Sequence, residues 1–182
     1  HMDSALLTYV LKKNDALPQE AERSLLELLS ELQGSAETLP YRPSISDVRF
    51  VDTIGMVCPF LTICGEAELA SAQIAEYDRA LLHGTTIPSH AYNMELGVPL
   101  GVYDWSRGTG WYILGLVESN ADGRYNERIV GLATELLRYQ KAGGGFGAMY
   151  FNSDSPFESS GSALIGLLMV RAHEIKPDAR FT

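Results

Sequence analysis

Three groups of residues in this sequence have types and neighbours that suit chemistry. The first is Asp52, near the start of the apolar run FVDTIGMVCPFLTIC (50–64). A carboxyl in such a setting loses hydration, which disfavours its charged form and raises its pKa. A carboxylic acid that stays protonated near neutrality can serve as a general acid. Aspartate is also a frequent helix N-cap, and the local sequence leaves both roles open. The second is His90, beside Tyr92 in IPSHAYN. It suits hydrogen bonding to a ligand or proton transfer, and equally a purely structural or exposed role. The third is DWSRGTGWYILGL (104–116), where the two tryptophans of the chain, Trp105 and Trp111, flank Arg107, Gly108 and Gly110. Indole faces stack on the apolar C–H patches of sugars, and a planar guanidinium fork matches a carboxylate. Glycines admit close backbone approach, to a ligand or to a neighbouring helix. The set suits an acidic sugar; the competing reading is a packed Trp–Arg cation–π cluster at a helix start.

Other chemistries lack their residues. No HExxH, CxxC or paired-histidine spacing is present, so no protein-made metal site is expected. No GxSxG elbow accompanies the serines. Gly143-Gly144-Gly145 is not followed by the Lys-Ser/Thr of a phosphate-binding loop and reads as a flexible turn. Cys58 and Cys64 read as buried thiols rather than a disulfide framework. A net charge of −9 and a pI near 4.8 disfavour nucleic acid or an anionic membrane surface as partner. A small acidic ligand remains compatible, because one arginine in a pocket outweighs a distant surface field.

The elements that must position these groups are helical. Leu25, Leu28, Leu29 and Leu32 repeat at helical spacing after Pro18, with Gly34 as the expected stop. Residues 35–49 read as a loop, and 50–64 as a helix buried on several sides, with Pro59 expected to kink or restart it. Ala70, Ile74, Tyr77 and Leu81 form another stripe, closed by His83-Gly84, and 84–107 reads as an irregular linker. Residues 109–119, 125–140 and 159–174 read as further helices, with a glycine-rich turn and at most a short strand over 141–151. The expected fold is all-α: about seven helices in sequential hairpins, with almost no strand, forming an incomplete toroid in one domain over residues 3–182. His1-Met2 reads as a cloning remnant. With no leader or uninterrupted membrane-length apolar stretch, the cytoplasm is the expected location.

Taken in order, four elements resemble the unsaturated glucuronyl and unsaturated rhamnogalacturonyl hydrolases, glycoside hydrolases built on an (α/α)6 barrel. The family segment Asp-x-x-x-Met-x-x-Pro-(Phe/Leu)-Leu is matched by Asp52, Met56, Pro59, Phe60 and Leu61; His-x-(Tyr/Phe)-Asp is matched by His90 and Tyr92, with Asn93 in place of Asp. Trp-x-Arg-Gly-x-Gly-Trp is matched by Trp105, Arg107, Gly108, Gly110 and Trp111. Glu-(Ser/Thr)-Ser-x-(Ser/Ala)-Ala is matched by Glu158, Ser159, Ser160 and Ala163. The family's substrates end in a 4,5-unsaturated uronic acid, whose double bond is hydrated so that the resulting hemiketal opens and expels the aglycone. This differs from the usual pair of carboxylates at fixed separation. The resemblance implies that Asp52 is the acid/base, that His90 and Arg107 hold the polar edge and carboxylate of the sugar, and that Trp105 and Trp111 wall the pocket. It adds Tyr92 and Glu158 as substrate contacts and implies no metal or organic cofactor.

The family is about twice this length, and its earlier helices bring a further acidic residue with no recognisable counterpart in residues 3–47. Seven helices cannot close a six-hairpin ring, so a second copy or a partner chain is expected to cover the exposed edges. The rival to an enzyme is a non-catalytic acidic-sugar-binding or assembly module; a bare helical scaffold would have no use for Asp52, His90, Arg107 and both tryptophans together.

Overall fold

A computed structural model describes residues 2–33, 38–82 and 84–182. The helix stop expected at Gly34 and the closing His83 lie outside the described residues. Among the described residues there are seven α-helices: α1 (Asp3–Lys13), α2 (Gln19–Gln33), α3 (Val51–Ile63), α4 (Ala67–Tyr77), α5 (Ser106–Glu118), α6 (Asn126–Leu136) and α7 (Ser159–Ile175). The leucine stripe of α2 faces inward as its spacing predicts, with Leu25 and Leu29 buried and Leu28 and Leu32 packed at the edge of the core.

α3 is the central element, apolar on nearly every side, and it packs on α1, α4 and α5. Burial of ten of its thirteen residues carries the helix past Pro59 to Ile63 without a restart. The cost of a missing helical bond, about 3 kcal/mol, is small against that much apolar contact. α3 and α5 approach closely because each presents a glycine to the other. A Cβ at Gly55 would stand 2.6 Å from the Trp111 carbonyl oxygen, and one at Gly115 would collide with Ile54.

The odd-numbered helices form one row, α1 against α3, α3 against α5 and α5 against α7, while α4 packs on α3 and α6 chiefly on α7. Their contacts fix the direction of the row. At one end Ser106, opening α5, reaches Glu158 before α7. At the other, Lys13 of α1 pairs with Glu118 of α5 at 3.0 Å and Thr62 of α3 bonds Ser119 at 3.1 Å. The row is therefore parallel, with the even-numbered helices returning the chain between its members. This is the inner and outer layering of an α/α toroid, here an incomplete ring as the helix count implied.

The segments expected to be loop and linker hold a small antiparallel sheet of order β1-β2-β3: β1 (Val48–Phe50), β2 (Ala91–Asn93) and β3 (Val98–Leu100). Arg49 pairs with Tyr92, and Tyr92 with Pro99. Strands of three residues are too short for alternation to show in sequence. The glycine-rich 141–151 segment forms no strand; it is tied by single bridges, Trp105 to Met149 and Gly147 to Phe157. Met2, set aside above, is buried in the core at the start of α1. Cys58 and Cys64 are both free thiols, Cys58 fully buried. No helix among the described residues is long and apolar enough to cross a membrane.

Candidate active site

The N-terminal ends of the parallel row converge with the sheet, and Asp52 lies where they meet. It is the second residue of α3, whose N-cap position is Phe50, so capping is not its role. Burial pushes its carboxyl above the ordinary range; its own backbone amide, His90 and Arg107 pull it back, and the charge of Asp3 adds to the rise. The carboxyl retains access to solvent, with the side chain 20% exposed.

His90 is fixed beside it by backbone and ring contacts. Its amide donates to the Val102 carbonyl at 2.9 Å, and its carbonyl accepts from the Val51 amide at 3.0 Å, which extends the β-ladder to the start of α3. Gly101 makes room for the ring: a Cβ there would lie 3.0 Å from His90 Cβ, and its φ of +76° suits glycine. The imidazole stands edge to face against Phe50 at 5.4 Å and Trp105 at 4.7 Å. Its Nε2 is 3.7 Å from Asp52 Oδ2. That is beyond hydrogen-bond length, close enough for an ion pair when the ring is protonated. Asp52 and His90 line a pocket of about 280 Å³ together with Tyr41, Arg42, Ile45 and Phe50. Its volume is near the lower end of the ligand-pocket range, roughly 300–1,000 Å³, a size for a single ring.

The two tryptophans part company. Trp105, at the N-cap position of α5, lays its ring over Gly108 and its edge against His90. Trp111 points inward, against Gly55 and the hydrophobic core. Gly110 lets Leu164 of α7 pack against α5. Arg107 joins neither indole: the cation–π pairs among the described residues are Lys13 with Tyr9 and Arg42 with Tyr41. Its guanidinium, half exposed, lies 3.3 Å from Glu158 Oε1 and donates to Ser160 Oγ at 3.1 Å.

Glu158 caps α7, accepting from the amides of Ser160 and Gly161 and from the Ser160 hydroxyl at 2.6 Å. Burial alone would raise its pKa, but the Ser160 hydroxyl, these two amides and Arg107 bring it down to about 2. Tyr92 faces a separate cleft of about 320 Å³, with Glu76, Arg79, Ala80 and Met94. Asn93 donates to Asp47 Oδ2 and accepts from the Leu96 amide, both at 2.7 Å. An aspartate there would set two carboxylates against each other, so the amide suits this hairpin.

Asp3, Tyr41, Arg42, Ile45 and Phe50, to which the sequence reading gave no role, belong to the Asp52 site. Asp3, first in α1, accepts from the Tyr41 hydroxyl at 3.2 Å and acts electrostatically on Asp52. Tyr41 stands edge to face with Phe50 at 5.7 Å, and Arg42 joins both on the pocket wall. Asp3 gave no signal because nothing in the sequence reports that α1 lies parallel to α3. A larger cavity of about 500 Å³ lies elsewhere, beside α6; its arginines, Arg124 and Arg128, already pair with Asp122, Glu68 and Asp78. No cluster of three His, Cys, Asp or Glu that could hold a metal occurs among the described residues.

No protein-family model matches the sequence, and no curated protein matches it. Solved structures do. A family 105 glycoside hydrolase from C. acetobutylicum ATCC 824 matches with a TM-score of 0.69 at 19% identity, over 97% of this chain and 57% of that one. A possible family 105 member from Salmonella enterica serovar Paratyphi A matches with a TM-score of 0.68 at 14% identity, over 96% and 53%. One from Klebsiella pneumoniae gives 0.64 and 15%, over 96% and 52%. The chain thus spans somewhat more than half the length of these structures. Over that span it has the fold of the family 105 glycoside hydrolases, a partial α/α toroid.

Proposed function

We propose that this chain acts on oligosaccharides whose non-reducing end is a 4,5-unsaturated uronic acid, by hydration of the C4–C5 double bond. The observation that carries the reading is the state of Asp52: a carboxyl pushed up by burial, on the wall of a ring-sized pocket, with His90 at 3.7 Å. A protonated Asp52 gives its proton to C4. The carboxylate so formed takes a proton from the water that adds to C5, which restores the acid. The C5 hydroxyl makes the product a hemiketal, which opens and releases the aglycone with no attack at the anomeric carbon. Asp3 supports this cycle, since a second negative charge at the same end of the row favours the protonated form of Asp52. His90 holds the polar edge of the ring, and Trp105, behind it, fixes the imidazole plane.

Hydration destroys the conjugated enol-carboxylate, so the reaction is read as loss of near-ultraviolet absorbance. Lyase-generated disaccharides should lose it with the wild-type chain and not with Asp52→Asn. If no unsaturated uronide loses absorbance, the hydrolase reading fails.

A second reading is an acidic-sugar-binding module without turnover, which would use the same ring-sized pocket beside Asp52 and His90. Calorimetric binding of the same sugars without absorbance loss would select it. In a closed ring α1 and α7 would each have another neighbour, and here Leu7 and Val10 of α1 and Val170 of α7 are exposed. We propose that a second copy or a partner chain covers these edges. A monomeric mass by light scattering at micromolar concentration would exclude the second copy.

A further inference from the structure

The groups around Asp52 leave a charge question. Asp3 and Asp52 are both acidic, and Arg107, the residue whose sequence context suggested a carboxylate clamp, is already held by Glu158 and Ser160. Glu158 is ionised at any ordinary pH, so the Arg107–Glu158 pair is neutral as a unit. Arg107 is also not among the residues lining the Asp52 pocket. An anionic sugar entering there meets the charge of Asp3, and that of Asp52 whenever it is ionised, unless another cation faces it.

One does. Of the lining residues, Arg42 alone carries a permanent positive charge. It is exposed, it lies 5.5 Å over the Tyr41 ring, and it has no ion-pair partner among the described residues. Its backbone is extended, at φ −144° and ψ 143°, as its position before Pro43 demands. The guanidinium is thus carried by a backbone with little freedom and has no carboxylate to leave among the described residues.

Resting on the reading of Asp52 above, we infer that Arg42 holds the carboxylate of the ligand in this pocket. The sugar ring then lies against the edge-to-face pair Tyr41 and Phe50. The consequence reaches the chemistry, because in a 4,5-unsaturated uronic acid the carboxylate is attached to C5. The residue that holds it fixes where C4 and C5 stand relative to Asp52. Arg107 instead ties the N-terminal ends of α5 and α7 together.

The test is calorimetric binding to the Asp52→Asn protein, whose turnover on the hydration reading is too slow to consume the probe, using a lyase-generated unsaturated uronyl disaccharide and its neutral methyl ester. Adding Arg42→Ala should weaken disaccharide binding ten- to a hundredfold. Arg42→Lys should recover part of that loss, and methyl-ester binding should change less than twofold. Exposed, with its contact to Tyr41 and no ion pair among the described residues, Arg42 can be replaced with little change in Tm. Unchanged disaccharide binding in the Arg42→Ala protein, with loss in Arg107→Ala, would overturn the assignment and leave the hydrolase reading intact. If wild-type and Asp52→Asn proteins neither convert nor bind any uronyl probe, both readings fall.

Discussion

Asp52 and Glu158 are two carboxylates at the same end of the helix row, one in the first turn of α3 and the other at the N-cap of α7. The positive end of a helix dipole acts on both, yet their environments drive them apart. Asp52 receives little beyond its own amide while burial strips its water, and its pKa rises. Glu158 is also partly buried, but the Ser160 hydroxyl, two amides and Arg107 bring it to about 2. The number of donors reaching the oxygens, more than the helix end itself, decides which carboxyl can hold a proton and which is a permanent anion. Divergent neighbours of this kind sort catalytic acids from structural carboxylates.

The largest effect that tests this contrast is on turnover. If the hydration reading holds, Asp52→Asn lowers kcat by about 10²–10⁴-fold, the range of lost general acid–base catalysis. The same change should stabilise the fold at neutral pH. A group whose folded pKa lies above its unfolded value contributes stability below the unfolded pKa and loses it as pH rises through the folded one. Wild-type Asp52 therefore costs stability at pH 7, and Asp52→Asn should raise Tm there by about 1–4 °C while changing little at pH 3.5. A fall in Tm at pH 7 would mean that the carboxylate is satisfied after all. Glu158→Ala should behave in the opposite way. Loss of an N-cap costs about 0.5–2 kcal/mol, or roughly 1–8 °C in Tm for a chain of this size. The depressed pKa contributes stability above about 4.5, lost as pH falls through about 2. The deficit of Glu158→Ala should therefore be full at pH 7 and shrink in acid, followed by thermal melts across that range.

How much of this contrast was legible in the sequence depends on what kind of information each residue carries. The helices were readable because stripes such as Leu25, Leu28, Leu29 and Leu32 report burial directly. The sheet was not, since nine paired residues in three pieces show no period. Asp52 and His90 were picked out from local composition, and the structure brings them together. Trp105 and Trp111 were read alike as pocket walls, and only packing against Gly55 turns the second inward. Asp3, Tyr41 and Arg42 were invisible for another reason. Asp3 acts through the parallel registry of α1 with α3, and Tyr41 and Arg42 through the path of an aperiodic segment to the pocket, long-range facts with no local trace.

Smaller effects sharpen the comparison. Ser160→Ala removes the hydroxyl that donates to Glu158 at 2.6 Å while keeping the amide cap. It should cost about 1 kcal/mol, the size of one hydrogen bond, and raise the pKa of Glu158. A carboxyl chemical shift followed by NMR reads that change. No movement of the titration on losing Ser160 would show that the backbone amides alone hold the anion.

Arg107→Ala should have the smallest effect on stability. Its side chain is 52% exposed, and ion pairs at such exposure contribute about 0–1 kcal/mol. Salt screens most of that, so wild type and variant should differ by less at 1 M salt than at 0.05 M. The side chain's second effect is on Asp52, whose carboxyl it pulls down. Its removal should therefore shift the Asp52 titration upward even as the melting temperature barely moves. The two measurements separate a structural tie between α5 and α7 from an electrostatic influence on the acid. An unmoved Asp52 titration would confine Arg107 to the Glu158 side of the contrast, leaving burial, Asp3 and His90 to set the acid alone.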